Sequence, residues 1–293
     1  MFKPEVVVQA PISLLGEGPH YEKQSNRLIW VDIEGLQIHR LDLTTNNVTT
    51  IRAPQRVGAI VPTDRETYIC GMEDGIYELD FDEPHFSLVV PLESERDDHR
   101  TNDGKCDPYG RFWIGTYKMG ALSYTGNLYS FTAGQLRAES HLTKIGCSNG
   151  MAWTADQSTY YFIDSPTQSV FAFDYDKETS TITNQRTVIT IDKNDGMPDG
   201  MTIDQNDHLW IAHWGGACIT KWNPRTGECL QKISFPVSNV TSLCFAGEKF
   251  DTLYVTTAKV GLSDEQREQE PLAGSIFKLQ VDVTGKENFI FKS

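Results

Sequence analysis

Four short stretches of this sequence set an oxygen-bearing polar side chain beside glycine: Gly16-Glu17-Gly18-Pro19, Asn102-Asp103-Gly104, Asn149-Gly150-Met151 and Asp199-Gly200-Met201. Glu17, Asn149 and Asp199 together would supply two carboxylates and one amide oxygen, with no Cys or His at the equivalent places. Such hard donors suit one divalent metal ion, Ca²⁺, Mg²⁺ or Mn²⁺. They also admit Fe²⁺ or Zn²⁺, and they exclude a soft thiolate site. Three protein ligands leave coordination positions for water or substrate, which a catalytic metal requires. Taken singly, Asn-Gly and Asp-Gly are ordinary turn formers, and a lone Glu is most often a solvated charge. What sets these residues apart is a shared place in a repeat.

The repeat is a β-branched and aromatic run: Leu28-Ile29-Trp30-Val31, Tyr68-Ile69-Cys70, Phe112-Trp113-Ile114, Tyr161-Phe162-Ile163, Leu209-Trp210-Ile211 and Leu253-Tyr254-Val255. With Ile29, Ile69, Trp113, Phe162, Trp210 and Tyr254 as anchors, the gaps are 40, 44, 49, 48 and 44 residues. Each anchor follows an Asp/Asn/Gly turn such as Asp107-Pro108-Tyr109-Gly110. Each precedes an alternating run such as Gly75-Ile76-Tyr77-Glu78-Leu79-Asp80. Period-two alternation with frequent turns predicts antiparallel sheet. The one helix-like segment is Ser263 to Gln269. Repeated four-stranded units of this length predict an all-β fold, a six-bladed β-propeller filling residues 1–293 as a single domain. The ring is expected to close through Val6-Val7-Val8 as the outer strand of the last blade. A β-sandwich or two small β domains would have to explain six evenly spaced anchors.

Counting back 11–13 residues from an anchor reaches Glu17, Asn102, Asn149 and Asp199. In a propeller that is the start of the innermost strand, so sequence-distant donors converge on the axis. Val57-Gly58 and Thr241-Ser242 occupy the same place in the other two blades. Asp32, Asp164 and Asp204 follow apolar runs or strands and read as turn or strand-end caps. His213-Trp214-Gly215-Gly216 reads as a rim segment or, for the histidine, a structural residue. Trp30, Trp113 and Trp210 read as packing between blades.

Bulk properties narrow the field. Lys and Arg number 26 against 40 Asp and Glu, a net charge of −14, which repels phosphate backbones and anionic lipid. Neither a nucleic-acid nor a membrane partner is expected, and no apolar stretch is long enough for a membrane helix. The N-terminus has Glu5 and no apolar run of signal-peptide length. The six cysteines form no CxxC pair and read as free thiols in a reducing compartment, the cytoplasm.

At the residues singled out above, the sequence resembles the gluconolactonase, regucalcin (senescence marker protein) and luciferin-regenerating enzyme family. The matching motifs are Leu15-Gly16-Glu17-Gly18-Pro19, Arg100-Thr101-Asn102-Asp103-Gly104-Lys105-Cys106-Asp107-Pro108-Tyr109-Gly110-Arg111, Ser148-Asn149-Gly150 and Pro198-Asp199-Gly200. The segment from Thr256 through Gly261-Leu262-Ser263-Asp264-Glu265 to Gly274 looks most like the bacterial aldonolactonases. The resemblance implies a six-bladed propeller whose metal is held by Glu17, Asn149 and Asp199, with Arg100 and Asn102 contacting the sugar. One departure is that Tyr117-Lys118-Met119-Gly120-Ala121 has no acid, where some animal members carry a substrate-contacting Glu.

The expected reaction is hydrolysis of a pentono- or hexonolactone to the aldonic acid. Asp199 acts as metal ligand and general base, and Arg100 orients the sugar through its fixed fork of donors. No G-x-S-x-G competes as a serine hydrolase signal. The rival readings are a non-catalytic calcium-binding or regulatory propeller, a calcium-dependent esterase or phosphotriesterase, and a scaffold propeller. The expected partner is a small sugar lactone, with the chain a monomer or weak homo-oligomer.

Overall fold

Each of the six apolar anchors lies in the second strand of a four-stranded antiparallel sheet. This computed structural model describes residues 3–7, 10–120 and 122–293. The innermost strands are Gly16–Glu22, Val57–Pro62, His99–Cys106, Ser148–Trp153, Met197–Ile203 and Val240–Ala246. They touch in cyclic order, the last meeting the first, so six sheets close as a six-bladed propeller. The last sheet is Val240–Ala246, Thr252–Thr257 and Phe277–Gln280, and its outer strand is Glu5–Val6. The N-terminal strand therefore closes the ring, and the Val7 N–H extends the pairing to the Ile276 carbonyl at 2.8 Å. Val8 lies outside the described residues. The helix-like segment forms Asp264–Gln269, capped by Ser263 and Gln266 in a reciprocal capping box.

Large side chains on the second strands fill the gaps between blades. Trp113 stands 5.0 Å from Tyr160 of the next blade, and Trp210 stands 5.9 Å edge-on to Phe245. Trp30 shares an apolar cluster with the last blade, and all three tryptophans are fully buried. Burying one such ring stabilises the fold by about 1.5–3 kcal/mol. Two buried acids fix two of the indoles. Asp107 accepts from Trp113 Nε1 at 3.0 Å, Arg111 Nε at 2.6 Å and the Tyr175 hydroxyl at 2.7 Å. Asp204 accepts from Trp210 Nε1 at 3.1 Å while capping its own turn through Asn206 and His208 N–H groups. Asp204 is thus a cap, as its position suggests, and a tryptophan anchor as well.

Every innermost strand carries a one-residue β-bulge at the same height. The register slips between Glu17 and His20, Val57 and Ala59, Thr101 and Gly104, Asn149 and Met151, Pro198 and Met201, and Val240 and Ser242. A bulge adds one unpaired residue, bends the strand and re-aims its side chains. Six bulges in register make a collar at one end of the channel. The collar is tight: a Cβ on Gly150 would lie 2.9 Å from the Asp199 carbonyl oxygen, so glycine there permits adjacent strands to meet.

The opposite end of the channel is crossed by the C-terminal segment. Gly285 bridges Asp204, and Lys286 pairs with Asp207. Further along, Phe291 N–H donates to the Pro62 carbonyl at 2.8 Å while its ring stacks 5.7 Å from Phe131. No helix among the described residues is long and apolar enough to cross a membrane.

Asp107→Ala would leave the Trp113 indole, the Tyr175 hydroxyl and the Arg111 guanidinium without their shared acceptor. We expect a loss of about 3–5 kcal/mol of unfolding free energy, read as a lower urea midpoint with an unchanged far-ultraviolet spectrum before the transition.

Candidate active site

The collar end of the channel opens into a cavity of about 450 Å³, within the range usual for small-molecule sites. Glu17, Asn149, Asp199, Arg100 and Asn102 all line it, and all five are buried. These side chains come from four blades and are gathered by the bulges.

A chain of hydrogen bonds fixes their orientation. Arg100 Nη1 donates to the Thr101 carbonyl at 2.7 Å and to Asn102 Oδ1 at 2.9 Å. Asn102 Nδ2 donates to the Ser148 carbonyl at 2.8 Å and to Asn149 Oδ1 at 3.2 Å. Asn149 Nδ2 donates to Ser165 Oγ at 2.8 Å, and Ser165 Oγ donates to the Pro198 carbonyl at 2.6 Å. A carbonyl can only accept, so the Ser165 hydroxyl must donate to it and accept from Asn149. That leaves the Asn149 amide oxygen turned away from Ser165. Asn102, read from the sequence as a substrate contact, has its amide engaged by Arg100 and Asn149. It links the arginine to the amide donor. Arg100 is no surface charge: its guanidinium lies 4.6 Å over the Tyr117 ring, and its Nε is buried without a partner among the described residues.

The loops feeding the innermost strands are tied down by a second set of buried residues. Asp32, Thr116, Asp164 and His213 each pair across from the residue just before Glu17, Asn102, Asn149 and Asp199. Asp32 accepts from the Leu14 and Leu15 N–H groups at 2.8 and 2.9 Å, and Asp164 from Cys147 N–H at 2.8 Å. Thr116 donates to Glu93 at 3.0 Å, and His213 bridges the Asp195 carbonyl at 2.9 Å and Thr220 at 2.6 Å. The two aspartates are caps, and the segments they cap lead into the donor residues. His213 is buried and structural, whereas Trp214 beside it lines the cavity. Ser165, Cys147 and Glu34 also line it. Nothing in their local sequence marks them, because each arrives from a loop whose path depends on the fold.

The electrostatics are strained. Burial first, and then the charge of Asp103 nearby, push the Glu17 carboxyl up to about 8. Asp199 is pushed well above the carboxylate range by burial and then by the neighbouring charges of Glu17 and Asp103. The Gly18 N–H at 3.0 Å from Glu17 and the charge on Arg100 offset this only in part. Two buried acids with few donors, beside an amide oxygen, are chemically suited to a divalent cation. Among the described residues no cluster of three or more His, Cys, Asp or Glu side chains stands ready to hold a metal. The donor set here is two carboxylates and a carboxamide.

These shifts give the chelated protein a particular pH dependence. Glu17 holds its proton up to about 8 when folded but only to 4.5 otherwise. Its contribution to stability is full below 4.5 and is lost as pH rises through 8. His20, pushed down to about 3 by burial and then by Lys105, acts in the opposite sense below 6.5. Between 6.5 and 8 the carboxylate effect, to which the raised Asp199 also contributes, is clear of the opposing His20 titration. Urea-unfolding free energy in a chelator is expected to fall across that interval, and Glu17→Gln should lessen the fall, with Asp199 supplying the remainder.

A family model described as the SMP-30/gluconolactonase/LRE-like region matches residues 15–259. The YvrE protein of Bacillus subtilis (strain 168), provisionally named a sugar lactone lactonase, is 34% identical over 277 residues, covering 93% of each chain. A luciferin-regenerating enzyme structure superposes with a TM-score of 0.94 at 29% identity, covering 100% of both chains. A structure titled as a calcium-binding protein, regucalcin, from Agrobacterium tumefaciens also gives 0.94, at 26% identity and covering 100% of this chain and 98% of the other. With its six blades, its collar of bulges and its polar axial cavity, the chain belongs to the SMP-30/gluconolactonase/LRE-like family.

Proposed function

We propose that this protein hydrolyses a sugar lactone, a pentono- or hexonolactone, to the aldonic acid. The observation that carries the reading is the pair of buried acids, Glu17 and Asp199, sharing one cavity with the guanidinium-bearing Arg100. Membership of a family that includes lactonase relatives supports it. Glu17, Asn149 and Asp199 would hold one divalent ion, Ca²⁺ or another hard cation. The name of the Agrobacterium relative favours calcium. When bound, such an ion supplies charge that polarises an ester carbonyl and favours the ionised form of nearby water.

The remaining work falls to side chains of the cavity. Arg100, on the cavity wall, donates through its guanidinium to a ring or hydroxyl oxygen of the sugar. Its rigid fork, held by Asn102 and stacked on Tyr117, orients that oxygen without reorganisation. Asp199 accepts the proton of the attacking water as the new C–O bond forms. It then returns the proton to the ring oxygen as the ester C–O bond breaks. Ring opening releases a carboxylic acid that ionises at neutral pH. General-base help of this kind contributes about 10²–10⁴ in rate, and stabilising the tetrahedral oxyanion contributes the larger share.

Asp199→Asn should retain the fold while lowering kcat by about 10²–10⁴, measured as acid release from a panel of pentono- and hexonolactones. Chelation should abolish turnover and a divalent ion should restore it. Near wild-type hydrolysis by the Asn variant would reject the base assignment. A chain that binds calcium tightly yet opens none of these lactones would favour the non-catalytic calcium-binding reading. Six unpaired thiols, four of them buried, support placing the reaction in a reducing, cytoplasmic setting.

A further inference from the structure

The cavity extends well beyond the axial donors, and its outer wall carries one more acid. Among the described residues that line it, Glu34 is the sole carboxylate besides Glu17 and Asp199. It stands in the turn joining the strands Arg27–Asp32 and Gln37–Asp42 of the first blade. Glu34 and Tyr117 line the same cavity. Both Glu34 oxygens accept from the single Arg56 Nε–H, each at 3.1 Å. Arg56 is gripped from its other side by Glu73, through Nη1 at 3.0 Å and through its own N–H at 3.3 Å. The three side chains are each about one-third exposed.

This geometry is more than an ion pair between blades. Glu73 alone satisfies the charge of Arg56, so the second carboxylate leaves the group with a net negative charge at the cavity mouth. A carboxylate has about four acceptor positions, and the contacts found for Glu34 use a single N–H. Arg56 is absent from the cavity wall; it acts from behind, holding the Glu34 carboxylate in one orientation. An acceptor of fixed orientation with vacant lone pairs is suited to two neighbouring hydroxyls of a polyol.

We propose that Glu34, positioned by Arg56 and Glu73, is a specificity-determining residue that binds hydroxyl groups on the part of the substrate remote from the reacting carbonyl. The proposal rests on the lactonase reading and assigns to one residue the recognition of the substrate's remote hydroxyls. It also locates hydroxyl recognition on the first blade, whereas the described part of segment 117–121 offers no acid.

The test compares glucono-1,5-lactone with unsubstituted δ-valerolactone. Glu34→Ala should raise KM for the first roughly tenfold, the loss expected for hydrogen bonds to a charged acceptor. It should leave kcat within about twofold and the second substrate unaffected, the pattern of a lost binding contact. Glu34→Gln, which keeps one acceptor oxygen, should fall between. Arg56→Met should raise KM in the same sense through the freed carboxylate. Equal KM changes for both lactones, or none for either, would overturn the proposal. Binding of 1,5-anhydroglucitol, a cyclic hexitol without a carbonyl, followed by tryptophan fluorescence, separates this inference from the activity. Glu34-dependent binding in a protein that hydrolyses no lactone would sink the lactonase reading and leave Glu34 as a polyol contact. Lactone hydrolysis and hexitol binding that both ignore Glu34→Ala would sink the Glu34 assignment and leave the lactonase reading standing.

Discussion

Two carboxylates of like charge, Glu17 and Asp199, are held out of water beside the axis of a closed ring. Such an arrangement opposes folding unless the acids keep their protons or a cation joins them. The surroundings are built to impose it. Glu17 enters on the first blade and Asp199 on the fifth, so neither can withdraw without disturbing a strand that touches both neighbours. Asn149 is held between Asn102 and Ser165, and Ser165 in turn grips the Pro198 carbonyl next to Asp199. The strain at the axis is thus spread through three adjacent blades, whose apolar packing supplies the stability that the acids oppose.

The ring is made from one repeated device used unequally. All six innermost strands bulge at the same height, but only four present oxygen donors there. Val57-Gly58 and Thr241-Ser242 complete the collar without adding charge. Across from the donor blades, the paired strand carries a buried polar residue that restrains the entering loop: Asp32, Thr116, Asp164 or His213. The second blade has Met72 at that place. The sixth blade, without a donor, has the buried Thr257 there, which donates to the Ser275 carbonyl at 2.7 Å, so polar anchoring is not confined to the donor blades. The far end of the channel needs no such machinery and is crossed by the C-terminal segment.

Beyond the axis, the cavity wall comes from loops rather than from the repeat. Tyr117 supports Arg100, Trp214 and Met197 add apolar surface, and Glu34 adds a fixed acid. The collar can thus stay constant while the loops above it set the shape and polarity of the cavity. This division suits a family whose members carry different names.

Much of the fold and part of the site were legible in the order of residues alone. Six evenly spaced apolar anchors could be satisfied only by six similar sheets, because each sheet exposes apolar faces that a neighbour must cover. The polar residues at a constant offset before the anchors then had to lie near one another, as Glu17, Asn149, Asp199, Arg100 and Asn102 do on the cavity wall. The bulges were not legible, since one extra residue in a short strand leaves no periodic trace. Nor were Ser165, Cys147 and Glu34, which reach the cavity from loops whose course depends on contacts with other blades. Asn102 shows the limit most clearly: its position could be read from spacing, but its engagement with Arg100 and Asn149 depends on three side chains meeting in space. Repetition is a property of the chain and can be counted along it. Hydrogen-bond partnership between blades is a property of distance in three dimensions, and only the closed ring decides it.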